Sequence, residues 1–309
     1  MPRPPVSAPV PVPVPVRSRR RRSPGWVPDQ HGAWAMITVP PLVGMALSGP
    51  AWAHVPLLGL WWVGYFAFFA TGLWLRSRRK ARYLAPVRAY GLAVLPFAAA
   101  LMVVSPYLVR WAVPFAPLVA ITLWCSARRR DRSLLNDVVT VGAAGLMTAV
   151  AYDAGTGGAG GLWGTGWLAG AGWLGSGGGG LGAAAAHALP GSSPDGSLSG
   201  WAWAWLVTAL LTAYFLSTIG YVKTNIRERG NRRFLLGSVG YHVLVAVVVG
   251  ALGLAGVVSG WHAAVWAALL TRAVVVPVVA QQRGRPVRPL VIGVGEIVFS
   301  VLVALTLLG

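Results

Sequence analysis

Nine times along the chain an apolar run of about twenty residues is broken by a short polar connection, and about twenty apolar residues is the length at which a helix crosses the hydrocarbon core of a bilayer. Inside lipid every backbone polar group must find its partner within the protein, which leaves helices or closed barrels. The runs are continuous rather than alternating, so helices are expected. They fall at roughly 32–50, 55–75, 88–105, 107–127, 134–152, 201–221, 234–256, 260–280 and 289–308. The fold class predicted is therefore all-α, a polytopic transmembrane helix bundle of about nine spans. Composition agrees, with 56% hydrophobic and 11% charged residues, against about 25% charged in soluble domains. Spans three and four are separated only by SPY at 105–107, and Pro96, Pro114 and Pro117 predict kinks around that junction.

Two segments lie outside this pattern. Residues 1–25, MPRPPVSAPVPVPVPVRSRRRRSPG, alternate Pro with Val and then turn basic, a composition that favours extended polyproline and cannot pack a core. They are expected to form a disordered cytoplasmic tail ahead of a transmembrane domain at 26–309. They do not read as a signal peptide, because the basic run follows the apolar residues and no cleavage site comes after an uninterrupted apolar stretch. Residues 153–200 are rich in glycine, each costing a helix about 1 kcal/mol relative to alanine, and are expected to form a long external loop. Trp163, Trp167 and Trp173 within it suit a membrane interface. No fixed-period repeat of the solenoid or propeller kind is evident.

Orientation follows from the bases. Of 26 Lys and Arg residues, 24 fall in the tail or in the connections at 76–88, 128–132, 223–233 and 283–288, which alternation of spans places on one face. Arg110 lies in a connection on the other face and Arg272 lies within a span. The positive-inside rule puts the N-terminus in the cytoplasm and the glycine-rich loop outside. The net charge of +19 is thereby assigned to topology and anionic headgroups rather than to nucleic acid. The single cysteine, Cys125, sits in an apolar run, so neither a disulfide framework nor a cysteine metal site is available.

Some polar residues exceed what topology requires. His242, Arg272 and Glu296 are intramembrane ionisable groups at one depth, about 10–13 Å in from the nearer span ends at 1.5 Å per residue. An antiparallel hairpin of the last two spans lets Arg272 and Glu296 pair, offsetting the ~2.5–3.5 kcal/mol that each buried charge costs on insertion scales. At the mouth of span one, PDQHGAW supplies Asp29, Gln30 and His31, where one capping residue would suffice. The loops RRRDRSLLND and YVKTNIRERGNRR mix acids, amides and bases at helix ends: Asn136, Asp137, Asn225, Glu228 and Asn231 join their arginines. Interloop salt bridges or ligand contacts both account for that mixture. No Walker loop, HExxH or G-x-S-x-G occurs, and the glycines at 155–180 do not link a strand to a helix.

PDQHGAWAM at 28–36, KARYLAP at 80–86, RSLLND at 132–137 and KTNIRER at 223–229 resemble the YwiC-like family of bacterial membrane proteins. That resemblance covers about 26–309 apart from the glycine-rich insertion, places the chain in the bacterial cytoplasmic membrane and carries no established activity with it. More distantly, nine spans with polar loops after spans two, four and six resemble the UbiA-type intramembrane prenyltransferases. Those enzymes hold Mg²⁺ on aspartate-rich motifs after spans two and six. The matching loops here, RSRRKARYLAP and KTNIRERGNRR, contain no aspartate, so no metal site is expected. Arg78, Lys80 and Arg82 facing Lys223 and Arg227 would instead neutralise a phosphate or carboxylate directly. The sequence reading is a cytoplasm-facing polar cavity that binds an anionic or isoprenoid amphiphile. The alternatives are a lipid-modifying, prenyltransferase-like enzyme, for which Asp29, Asp137, Glu228 and Glu296 are the available acids, and a small-solute transporter.

Overall fold

A backbone with no water to bond closes its hydrogen bonds on itself, and the chain does so in nine α-helices among the described residues. The computed structural model describes residues 25–28, 31–161 and 189–309, and for 31 and 32 the backbone alone. The helices are α1 (His31–Ser48), α2 (His54–Arg76), α3 (Leu84–Val104), α4 (Ala112–Ala127), α5 (Leu134–Gly155), α6 (Trp201–Ile226), α7 (Arg232–Leu254), α8 (Gly260–Gln282) and α9 (Pro289–Leu308). Short 3₁₀ turns, Ala81–Tyr83 and Pro106–Trp111, lead into α3 and α4. Counting each turn with its helix, eight of these stretches are long and apolar enough to cross a membrane, and Ala33–Ser48 is a shorter apolar helix.

Local chemistry sets several starts. Ser133, Asn231 and Ser259 each accept a backbone N–H three residues on, at 3.2 Å, and so cap α5, α7 and α8. Pro289 opens α9, where its missing N–H is harmless. Pro40, Pro41, Pro96, Pro117 and Pro277 all lie inside helices.

The helices are assembled with their polar sides inward. Along α9, Ile292, Glu296, Ser300, Val303 and Leu307 are buried, while Leu290, Val294, Ile297, Val298, Val301 and Leu305 face out. A water-soluble helix would reverse this arrangement; here the outer surface is the apolar one. The centre is formed by α5 and α6, with Val141, Ala149, Ala151, Tyr152, Val207, Leu211 and Tyr214 fully enclosed. α1 and α4 pack on α5, α7 packs on α6 and α8, and α9 closes against α1, α6 and α8. Small residues permit the closest approaches: a methyl at Gly44 would overlap the Thr148 carbonyl, and one at Gly145 would overlap the Thr212 hydroxyl. In lipid, where apolar contact alone drives little association, such close packing holds helices together.

The connections sort into two ends. At one, Arg76 meets Asp131 and Lys223 meets Asp137. At the other, Ser48 abuts Gly155, the His54 Nε2 lies 2.8 Å from the Ala151 carbonyl, and Ser259 bonds the Thr306 carbonyl. The connections at 76–88, 128–132, 223–233 and 283–288 belong to the first, basic end. The sequence boundaries differ in two informative places. α6 runs to Ile226 rather than 221 and α5 runs to Gly155 rather than 152; in each case the extra turn contains a charge whose partner comes from another segment, that of Lys223 from α5 and that of Asp153 from the turn before α4.

Candidate functional site

The most polar interior group is built from three helices. Glu296 of α9 receives Arg272 of α8 in a forked contact, Nη1 to Oε1 at 2.5 Å and Nη2 to Oε2 at 3.2 Å. Thr218 of α6 donates to the same carboxylate at 2.7 Å. One turn earlier, the Tyr214 hydroxyl lies 3.0 Å from both the Glu296 carbonyl and the Ser300 hydroxyl. The Arg272 guanidinium is sandwiched between the rings of Tyr221 and Phe299, each centroid 4.4 Å away. The carboxylate is thus bonded from two other helices, and the two charges compensate each other with their side chains only 10% and 7% exposed. One donor remains over: Arg272 Nε is buried with no partner.

His242 lies on α7, fully enclosed, with Nδ1 2.7 Å from the Ser238 carbonyl one turn back. Its Nε2 is buried and unpartnered. Above these groups, at the basic end, a cleft of about 290 Å³ opens between α6, α7 and α8, lined among others by Thr224, Asn225, Glu228, Leu235, Pro277 and Gln281. The helices run from this mouth down to the buried groups. Thr224 is one turn from Tyr221, Leu235 is two turns from His242 on the same side of α7, and Pro277 is five residues from Arg272.

The α4–α5 connection is the hub of the basic end. The Asp131 carboxylate accepts the Ser126 hydroxyl at 2.7 Å and faces Arg76 at 3.7 Å, while its carbonyl accepts the Asn136 amide at 2.9 Å. Asp137, in the first turn of α5, pairs with Lys223, whose ammonium also donates to the Arg132 carbonyl at 3.2 Å. Lys223 thus crosslinks α5 and α6; the residue expected to stand with Arg227 opposite Arg78, Lys80 and Arg82 is paired with Asp137. Asn225 is buried and donates to the Tyr221 carbonyl at 2.9 Å. Glu228 accepts Asn231 at 2.9 Å. Arg78, Lys80, Arg82 and Arg227 are exposed, with Arg82 donating to the Tyr83 hydroxyl at 2.9 Å. Asp29 and Gln30, the His31 side chain, Trp163, Trp167 and Trp173, and most of the tail lie outside the described residues. Among the described residues no three His, Cys, Asp or Glu side chains come together as a metal cluster would require. Cys125 is buried.

Sequence reasoning missed a second buried pair at the opposite end. Arg110, in the turn before α4, donates to Asp153 near the end of α5, Nη2 to Oδ1 at 2.5 Å and Nε to Oδ2 at 3.2 Å. The Trp111 indole adds a third donor at 2.7 Å, and Tyr107 lies against the guanidinium. Both charged side chains are at most 3% exposed. The signal was available: Arg110 was the one base and Asp153 one of two acids assigned to that face. The other acid, Asp195, lies outside the spans in the turn closed by the Ser192–Ser199 bridge. Hydrogen bonds from the Ser193 hydroxyl first, and then from Ser197, hold its carboxyl below the usual carboxylate range.

Apolar helices turned outward, with ion pairs and hydroxyls turned inward, define a polytopic helical membrane protein. A profile of the family described as YwiC-like protein matches residues 27–152. The chain is 31% identical over 235 residues to the uncharacterized protein YwiC of Bacillus subtilis, covering 76% of this chain and 79% of that one. The chain belongs to the YwiC-like family. It is also 26% identical over 228 residues to an uncharacterized protein of Haemophilus influenzae, covering 72% and 76% of the two chains. No solved structure matches it.

Proposed function

We propose that the protein binds an amphiphile with an anionic or isoprenoid character at the cleft between α6, α7 and α8, with the basic end in the cytoplasm of a bacterial cell. The distribution of bases supports that orientation through the positive-inside rule. The observation that carries the reading is that two of the buried polar atoms without a partner, Arg272 Nε and His242 Nε2, lie along helices that lead down from an open polar cleft. A buried polar atom without a partner costs about 1–3 kcal/mol, a cost that a ligand's polar group at the foot of the cleft would offset. Intramembrane ionisable residues mark ligand paths by default. A cleft of about 290 Å³ suits a headgroup or a single small polar group. The rest of an amphiphile would lie on the apolar helix faces outside.

The test is native mass spectrometry with lipid extraction on protein purified in mild detergent, beside a variant carrying Asn225→Ala and His242→Leu. A discrete amphiphile that leaves with the unaltered protein and is missing from the variant supports the reading. If both carry the same bulk phospholipids and nothing else, the reading fails, and the Arg272–Glu296 group is a packing device.

A further inference from the structure

Two connections at the basic end repeat one another. Residues 73–84 read LWLRSRRKARYL and residues 123–134 read LWCSARRRDRSL. Both consist of Leu-Trp, three residues, three consecutive bases, one residue, Arg, one residue and Leu. The folding repeats as well. In each, a helix ends within the first five residues and the next begins at the final leucine, Leu84 for α3 and Leu134 for α5.

Each connection turns through arginine in the left-handed region, Arg78 and Arg79 at φ of +61° and +59° and Arg129 at +58°. Backbone bonds from Arg79 to the Trp74 carbonyl at 2.9 Å and from Arg130 to the Cys125 carbonyl at 2.7 Å close the two turns. After α7 and α8 the left-handed position just past the helix is taken by Gly256 and Gly284, the residue that suits it. Retaining arginine there runs against local preference in both copies. In each copy an arginine also covers the repeat's tryptophan, Arg79 over Trp74 at 5.7 Å and Arg128 over Trp124 at 5.9 Å.

The two copies meet. Arg76 faces Asp131, and Gly72 approaches Ser126 closely enough that a Cβ would stand 3.2 Å from its hydroxyl. Where they meet, an open cleft of about 660 Å³ is lined by Arg76, Arg129, Arg130, Asp131, Arg132 and Ser133. Its one carboxylate is already engaged by Ser126 and Arg76, so the guanidinium groups of Arg129, Arg130 and Arg132 face the opening uncompensated by it.

We propose that the paired loops form a cradle for the phosphodiester headgroup of an anionic bilayer phospholipid. Guanidinium groups take phosphate oxygens two at a time. The cleft lies where α2 and α4 end, beside two tryptophans of the kind that settle at headgroup level, which favours a lipid over a dissolved anion. None of these residues lines the cleft between α6, α7 and α8, so either proposal can fail without the other.

The full chain, delipidated in mild detergent, is offered equal amounts of phosphatidylglycerol and phosphatidylcholine, and the retained lipid is counted by native mass spectrometry. The unaltered protein should retain phosphatidylglycerol in preference. Each cradle arginine removed takes away its hydrogen bonds to the phosphate, about 1 kcal/mol net, and should weaken that retention about fivefold, so Arg129→Gly with Arg130→Gln and Arg132→Gln should abolish the preference. A control with the same charge loss elsewhere at the basic end, Arg283→Gln with Arg285→Gln and Arg288→Gln, should keep it. Arg129→Gly alone suits its left-handed backbone and decides the matter if the triple variant does not fold; it should show the fivefold loss by itself. The proposal is overturned if the unaltered protein does not discriminate between the lipids or if the control loses as much as the cradle variants. Release of the lipid by millimolar inorganic phosphate would overturn it in favour of a site for a dissolved anion.

Discussion

Arg272 and Glu296 share one fork, and each is tolerable only because the other is there. Removing one partner of such a buried pair costs about 3–5 kcal/mol, whereas replacing both by apolar residues of similar size is near neutral. Arg272→Met alone and Glu296→Leu alone should therefore both melt well below the unaltered protein in detergent. The double variant should recover most of the loss, and a double variant as unstable as the singles would contradict that account. Arg129 presents the opposite case, a residue that its backbone does not favour. Left-handed geometry costs a non-glycine residue roughly 1–2 kcal/mol, so Arg129→Gly should raise the thermal midpoint. A lower midpoint would mean that the guanidinium makes stabilising contacts within the chain. The same residues mark the limit of reading the sequence. Arg272 with Glu296 was legible because both lay inside apolar runs at one depth. The role of Lys223 was not, because it lies among other bases in a polar connection and its partner Asp137 is distant in the chain; Asp153, paired with Arg110, was legible only by matching the one base of its face to an acid there.

At the scale of the helix, each charge without a visible partner reads as the end of a span, and this accounts for the two boundaries that moved. α6 passes Lys223 and α5 passes Asp153 because an ion pair removes the reason to stop. Hydrophobic runs fixed the number and order of the helices; their meeting points depend on residues whose size carries no periodic signal. Gly145 is one, seated against Thr212 of α6, and Gly44 is another, seated against the backbone of α5. Gly145→Leu should force α5 and α6 apart and cost at least the 1–3 kcal/mol typical of overpacking, read as a lower midpoint or as failure to assemble. Gly64, which has open space around it, should accept alanine with little change. Equal effects at the two positions would sink the packing argument.

For the whole molecule, the arrangement of bases makes a prediction about sidedness. With Cys125 changed to Ser, Pro194→Cys and Arg285→Cys place single exposed thiols at opposite ends of the bundle. A membrane-impermeant maleimide applied to intact cells should label the first at once and the second only after permeabilisation. The reverse pattern would place the basic end outside. The pairing of interior charges bears on the whole molecule in another way. Arg272 is matched by Glu296 and Arg110 by Asp153 within hydrogen-bond distance, so each couple crosses any part of the electric field as a near-neutral unit. A resting potential exerts about 2.3 kcal/mol per 100 mV on an unmatched elementary charge, and on a matched couple almost nothing. Energising proteoliposomes should leave the packing around both couples, read by exchange of amide hydrogens in α5, α8 and α9, unchanged: to the voltage of the cell these couples are electrically transparent.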